Sequence, residues 1–440
     1  MNTPAASAPD AGRIEYLDAL RGFAVLGILS INIVPFGVPY GFSVVAPPVD
    51  AASTLDFWSW LLNALFVEGT MRGVFALLFG AGIVLYTQRR EGATPSALDL
   101  HGRRMLWLMA FGLFNSHVLL WRGDILFEYA VTGLLLYSLR NWRPQLQIAL
   151  AVLALSFVTA RGTSEWLHLR GAESAAQPAI AAKDAGLPLN EDLQSALDEW
   201  SEAIEGARPS PEVLAESVET MRGGFAGIFR FVTEEITDAR TITYYRKGVF
   251  ETGAMLLLGM ALFQTGALRG RWSRRRYLQL TLAGYGVGLA INGAEAAAMF
   301  RSELDPVVTE FTTLVSYQAG RVAVALGHVG ALALFCQSGL WPAIRGRLAA
   351  VGRMALTNYL AQSLLALLLF TGIGFGLYGR LERYELYYIV LGVWVLQLAW
   401  SAPWLRRFRY GPAEYVWRAL VLWRLPSLKR GPHEREPAIM

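Results

Sequence analysis

From Gly22 to Val49 the chain carries no charged residue, and the stretch opens on Tyr-Leu-Asp-Ala-Leu-Arg-Gly at 16–22. A predominantly apolar run of that length crosses the hydrocarbon of a bilayer as a helix. It sets Asp18 and Arg21 at one mouth of the span and Asn32 toward the other. An ionised or amide side chain near hydrocarbon is costly, about 2.5–3.5 kcal/mol for a charge at the centre of a helix, unless a partner or water meets it. The pattern therefore predicts polar groups gathered around a cavity inside an apolar bundle.

Further runs of this kind set the fold class. Hydrophobic residues make up 54% of the 440 and charged residues 17%, with a mean hydropathy of +0.35. That leaves too little polar surface for a soluble chain of this size. The expected class is all-α, a polytopic integral membrane helical bundle of about ten transmembrane helices. The spans lie near 17–39, 71–88, 105–121, 125–140, 144–161, 247–268, 277–299, 312–338, 354–376 and 385–405. Connections at 88–104, 140–144, 269–276 and 341–353 hold 14 Lys and Arg, against 4 in their counterparts at 37–70, 121–124, 299–311 and 376–384. That asymmetry puts both termini in the cytoplasm of a bacterial inner membrane. Arg13 precedes the first run and no small-residue cleavage site follows, so the run is expected to stay as a span. The net charge of +4 comes from Arg residues beside apolar runs. These read as orientation signals, and no nucleic-acid partner is expected. The single cysteine, Cys336, excludes a disulfide framework within one chain.

The divisions expected are an N-terminal membrane half over 1–161, an extracytoplasmic insertion over 162–246, a second membrane half over 247–405, and a cytoplasmic helix and tail over 406–440. No sequence repeat relates the halves. Residues 50–70, with Asp56, Trp58, Trp60 and Glu68, read as an amphipathic helix at the outer interface. The insertion shows helical patterning over 189–204 and 209–236 and either caps a cavity or decorates the surface. Gly411-Pro412 starts a short interfacial helix in which Glu414 and Arg418, four apart, pair along one face or tuck under the bundle in a structural role. The Gly284, Gly286 and Gly288 cluster reads as a close helix contact.

Five motifs carry a family resemblance. They are Leu17-Asp18-Ala19-Leu20-Arg21-Gly22 with Asn32, and the run from Phe75 to Gly82. Gly123-Asp124-Ile125-Leu126 with Tyr129-Ala130 is the third, and Ala355 to Leu360 with Gln362 and Ser363 the fourth. The fifth is Gly411 to Glu414 with Trp417-Arg418. In these the chain resembles the YeiB-like membrane proteins (domain of unknown function 418). That family in turn resembles a larger group of transmembrane acyltransferases, including lysosomal heparan-glucosaminide acetyltransferase and bacterial enzymes that acylate surface glycans. Members share an Arg-Gly start to the first helix and a polar residue eleven positions after the Arg. It is a catalytic His in many bacterial enzymes, and an Asn with a His further on in the lysosomal type. Here Asn32 holds that position and Ser43 stands eleven residues later. The resemblance implies acyl transfer from an acyl-CoA donor to a sugar or lipid acceptor, with no bound cofactor. The Arg residues of 269–276 and 345–353 would attract the donor's phosphates.

Such a reaction needs a base near the acceptor and donors for the developing oxyanion. Of five histidines, His101, His168 and His433 lie in polar connections or the tail. His117 is followed by Arg122, Asp124 and Glu128, so Asn32, His117 and Asp124 are the candidate catalytic residues. His117 also reads as no more than a hydrogen bond to a neighbouring helix. Candidate substrate-binding residues are Asp18, Arg21, Arg72, Glu128, Arg321, His328, Asn358 and Gln362. Arg321 and His328, seven apart, share one helix face; a buried ion pair or helix anchor explains them equally. Glu251 and Glu295 read as solvated helix ends. No metal site is expected, because no His-Glu-x-x-His, Cys pair or carboxylate cluster occurs. Two other readings stay open: a proton-coupled transporter or exporter of a small or amphiphilic solute, using the same polar residues, and a non-catalytic accessory protein.

Overall fold

In a computed structural model residues 11–39, 54–88, 95–205 and 210–430 are described. Ser43, His433 and the start of the 50–70 segment lie outside them. The elements in chain order are α1 (Ala11–Gly37), α2 (Leu55–Phe66), α3 (Thr70–Gln88), α4 (Ala97–His117), α5 (Leu126–Leu135), α6 (Pro144–Asp184), α7 (Glu191–Glu205), α8 (Pro211–Met221), α9 (Phe225–Asp238), α10 (Val249–Gln264), α11 (Arg274–Arg301), α12 (Pro306–Glu310), α13 (Tyr317–Gln337), α14 (Pro342–Arg353), α15 (Ala355–Phe370), α16 (Arg383–Arg407) and α17 (Pro412–Leu422). Two π-helical segments, Ala239–Gly248 and Phe311–Val315, precede α10 and α13. Among the described residues there is no strand.

Local chemistry starts several of these helices. Ser96 and Ser273 cap α4 and α11 by accepting from backbone N–H groups three residues on. Glu382 and Glu385 form a reciprocal capping box at α16. Proline opens α6, α8, α14 and α17, where its missing N–H removes nothing.

By length and composition, five stretches among the described residues can cross a membrane: Glu15–Gly37, Leu55–Gln88, Pro144–Asp184, Tyr317–Gln337 and Arg383–Arg407. A sixth forms if α14 and α15, bent by 79°, are one span. The apolar windows of α6 and α16 are only 22% and 28% buried. They turn Leu146, Val152, Leu153, Phe157, Leu391 and Val395 outward. A monomer in water does not sustain apolar faces of this extent, whereas lipid covers them at no cost.

Several boundaries depart from the sequence reading. Helix α6 does not stop at 161 but runs 41 residues, about 60 Å at 1.5 Å per residue, twice the hydrocarbon thickness. Its second half is rich in alanine, the strongest helix former, so nothing ends the helix where the apolar run does. Helix α5 is the opposite case. Its 10 residues reach only about 15 Å, half a crossing. The 342–353 segment, expected as a loop, is helix α14. Helix α2 packs one face on the bundle: Trp58 is exposed, while Trp60 and Asn63 are buried, and Asn63 Nδ2 donates to Ser30 O (3.1 Å) and Tyr387 Oη (2.6 Å).

The main core joins Leu20 and Ile28 of α1, Leu77 of α3, Tyr129 of α5, Leu256 of α10 and Val329 of α13. A second cluster packs Leu29 and Ile33 of α1 against Phe370 of α15 and Leu386 of α16. Small residues bring backbones together at the crossings. A Cβ on Gly352 of α14 would run into Asp18 O, and one on Gly22 of α1 into Leu348 O. Gly284 and Gly288 meet α13 in the same way, as their spacing predicts, while Gly286 faces open space. The insertion is docked on the bundle. Ile228, Val232 and Ile236 of α9 pack on Leu120, Glu235 pairs with Arg122 at 2.9 Å, and Arg222 Nε donates to Tyr378 O at 2.8 Å.

The α1–α14 contact has a direct test. Gly352→Val forces the two backbones apart and should cost about 1–3 kcal/mol, read as a melting temperature several degrees lower in detergent. Gly346→Ala, on the same helix but facing open space, should leave the transition unchanged or raise it slightly.

Candidate functional site

The broken and short elements converge at the end of the bundle that carries the insertion. Helices α2 and α3 are separated by a turn whose Gly69 has φ +67°, a backbone state that suits glycine. The break frees the Phe66 carbonyl, and His328 Nε2 donates to it at 2.8 Å. His328 Nδ1 lies 2.7 Å from Tyr285 Oη, so with Nε2 protonated it accepts that hydroxyl's proton. Both ring nitrogens are committed to helix packing.

Three residues beyond the turn, Arg72 is exposed although Met71 and Gly73 on either side are buried. Around it, within electrostatic reach, stand Tyr317, Glu251, Glu128 and Tyr129, from α13, α10 and α5. Tyr129 Oη donates to the Arg72 carbonyl at 2.9 Å. A side chain so surrounded that still keeps accessible surface borders a hollow between the helices.

Charged and polar groups continue around its wall. Glu251 Oε1 accepts from Gln318 Nε2 at 2.7 Å and lies 3.7 Å from Lys247 Nζ in the first π segment. Glu68 accepts from Tyr317 Oη at 3.2 Å. The Arg321 guanidinium lies over the Tyr317 ring at 3.1 Å and pairs with Glu295 at 3.2 Å; Glu295 also accepts from Ser316 Oγ at 2.5 Å. Asp124, wholly buried, accepts from Asn115 Nδ2 (2.9 Å) and the Phe127 N–H (3.1 Å) and faces Arg240 at 3.5 Å. Arg240 also donates to Ser116 Oγ. Tyr244 donates to the Glu128 carbonyl at 2.8 Å and contacts Thr132.

Two groups stand apart from this network. Neither the Arg72 guanidinium nor the Glu128 carboxylate has a hydrogen bond or ion pair among the described residues, although each feels the other's charge. No cluster of three metal-ligating side chains occurs among the described residues.

The residues expected from sequence divide into three groups. Arg72, Glu128, Asp124 and Arg321 meet at the hollow. Asn32 is half-buried with no hydrogen-bond partner among the described residues. It lies one turn from Ile28, in the main core, and one turn from Phe36, which stacks on Trp121 at 3.9 Å. His117 does not join Asp124. Its Nδ1 donates to Leu113 O of its own helix at 3.1 Å, and its ring lies near Phe229. It is two positions from Asn115, about 200° around the helix, and so faces the other way.

The third group is structural. Asn358 Nδ2 donates to Val351 O (3.1 Å) and Ser401 Oγ (3.3 Å), and its Oδ1 accepts from Trp400 Nε1 at 3.2 Å. Gln362 donates to Val25 O (3.2 Å) and Gln397 Oε1 (3.1 Å). Together they tie α15 to α16 and α1 beside the 79° bend. Asp18 and Arg21 pair at 2.9 Å. Glu414 reaches under the bundle and accepts from the N–H groups of Leu356 (2.7 Å) and Thr357 (3.2 Å) and from Thr357 Oγ1 (2.5 Å). It caps α15 from another helix and does not pair with Arg418. Burial pushes its carboxyl above the usual carboxylate range, against the pull of those hydrogen bonds.

The sequence reading missed Arg240, Tyr244, Lys247, Glu251, Glu295 and Tyr317. Glu251 and Glu295 are not solvated ends but hydrogen-bonded wall groups. A signal was present: Arg240, Arg246 and Lys247 precede an apolar run on the side where the Lys and Arg count leaves few cations.

Residues 262–424 match the family described as "Protein of unknown function (DUF418)". The chain is 28% identical to "Uncharacterized protein YeiB" of Escherichia coli (strain K12) over 411 residues, 92% of this chain and 95% of that protein. It is 28% identical to "Uncharacterized protein YxaH" of Bacillus subtilis (strain 168) over 426 residues, 92% and 94% of the two chains. The resemblance read from the motifs therefore holds over nearly the whole length. No solved structure matches the chain.

Replacing the two histidines separates their roles. His328→Ala strips a partner from two buried groups, Phe66 O and Tyr285 Oη, and should cost about 2–3 kcal/mol, seen as a lower melting temperature. His117→Ala should change stability by no more than about 0.5 kcal/mol.

Proposed function

We propose that the chain spans a bacterial cytoplasmic membrane about ten times, with both termini in the cytoplasm, and transfers an acyl group in the hollow around Arg72. The donor is a thioester such as acyl-CoA, and the acceptor a hydroxyl of a sugar or lipid. The topology is supported by the outward apolar faces of α6 and α16 and by the excess of Lys and Arg at the end opposite the insertion. The ten-span count includes the half-helix α5, which neighbouring helices enclose.

The single observation that carries the chemistry is the unpaired juxtaposition of Arg72 and Glu128. Glu128 takes the place first given to His117. It removes the acceptor O–H proton as the oxygen attacks the thioester carbonyl. Arg72 stabilises the oxyanion that forms, as a fixed cation placed where the charge develops. As the C–S bond breaks, the proton held by Glu128 passes to the leaving thiolate. Glu251 and Tyr317 stand within electrostatic reach of Arg72.

In proteoliposomes, the protein should turn over an acyl-CoA of some chain length between acetyl and palmitoyl. Glu128→Gln and Arg72→Met should each lower the rate by roughly 10²–10⁴-fold, while His117→Ala should retain it. Absence of turnover across all chain lengths, or full activity in Glu128→Gln, would overturn the reading. A proton-driven flux lost in Glu128→Gln without acyl-CoA turnover would make the hollow a transport pathway instead. His328 would have no part in that pathway, since both its nitrogens are engaged.

A further inference from the structure

At the end of the bundle away from the hollow, guanidiniums from three helices come within electrostatic reach of one another, two of them without a carboxylate partner among the described residues. Arg104 of α4 lies over the Tyr86 ring at 3.9 Å and over Trp417 at 5.0 Å. Trp417 Nε1 donates to the Arg104 carbonyl at 3.2 Å, which fixes α17 against α4. The charges of Arg418 on α17 and Arg21 on α1 both bear on Arg104. Arg418 is exposed and lies over the Tyr410 ring at 4.4 Å.

The carboxylates nearby are already committed. Asp18 pairs with Arg21 at 2.9 Å, and Glu414 is taken up by the start of α15. Arg103 is accounted for separately, paired with Asp99 at 2.8 Å and stacked on Trp423. Neither Arg104 nor Arg418 has a carboxylate partner among the described residues. Stacking on aromatic faces holds these cations in place without neutralising them. Guanidiniums kept planar and unpaired are matched to the oxygens of a phosphate, which they bind through paired N–H donors.

We propose that Arg21, Arg104 and Arg418 form a binding site for a phosphate group, carried by a soluble phosphoester or by a phospholipid headgroup. Tyr86 and Trp417 are its aromatic floor. Arg104 and Arg418 supply the free donors, and Arg21, held by Asp18, borders the site from α1. The site rests on the geometry of this end alone and stands whether or not the hollow performs acyl transfer.

The test uses the full chain in phosphatidylcholine nanodiscs, with inorganic pyrophosphate as the probe in titration calorimetry. Native mass spectrometry in parallel compares retained phosphatidylglycerol with phosphatidylcholine. A soluble source predicts pyrophosphate binding that weakens at least tenfold in Arg418→Gln and Arg104→Gln, and less in Arg104→Lys. A headgroup source predicts retained phosphatidylglycerol, lost in the same Gln variants, with no pyrophosphate binding. Either pattern supports the phosphate site and identifies its source. Failure of both ligands to bind, or binding that both Gln variants leave unchanged, overturns it. Should Arg104→Gln fail to fold, the exposed Arg418 decides the matter alone.

Discussion

An uncompensated charge inside an apolar bundle is the costliest feature this chain contains, and the arrangement of the insertion end follows from meeting that cost. Moving an isolated ion from water into a dry interior costs many kcal/mol, so a folded chain pairs it, hydrates it or neutralises it. Arg321 with Glu295, Asp124 with Asn115 and Arg240, and Glu251 with Gln318 and Lys247 take the first course. Arg72 is exposed and Glu128 half-buried, neither with a partner among the described residues, and hydration in the hollow is the course proposed for them. A group left unpaired in such a place is available for chemistry, which a saturated ion pair is not.

The helices around the hollow are irregular where regular ones would fill it. Helix α5 stops after half a crossing, α2 and α3 are broken at Gly69, and π segments introduce α10 and α13. A π turn widens the backbone and re-aims side chains, and such turns recur at functional sites. Here one of them delivers Tyr244 and Lys247 to the wall and the other ends just before Tyr317. Each irregularity frees backbone groups that must be satisfied inside protein, and His328 on Phe66 O is one such repair. The Asn358–Gln362–Gln397 ladder performs the same service at the bend between α14 and α15. Close glycine crossings elsewhere keep the scaffold rigid around these openings.

Features that depend on neighbours in sequence were legible before any coordinates. The Gly411-Pro412 helix start and the tucked Glu414 come from spacings of a few residues, as does the close helix contact at Gly284 and Gly288, whereas Asp18 and Arg21, read as substrate-binding, pair with each other. Features that depend on where a helix face points were not. His117 and Asp124 are seven apart in sequence, yet a rotation of two positions on α4 gives Asn115 to the carboxylate and turns His117 away. Helix ends were misplaced wherever polar sequence stays helical, as in the alanine-rich second half of α6 and in α14. The groups supplied by the first π segment were overlooked because residues around 240–247 read as part of a polar insertion, although Arg240, Arg246 and Lys247 stand on a side that otherwise carries few cations.

Everything proposed for the insertion end requires that water reach Arg72 and Glu128 within an otherwise apolar bundle. Single cysteines at these two positions, in a Cys336→Ser background that removes the chain's only native thiol, measure that access with a small charged thiol reagent. A cysteine in place of the fully buried Leu77 serves as the dry reference. Labelling of both hollow positions at rates near that of an exposed surface cysteine, with Leu77→Cys unlabelled, is the expected result. Protection of all three alike would mean that the hollow is sealed or absent, and the account of these charges would fail.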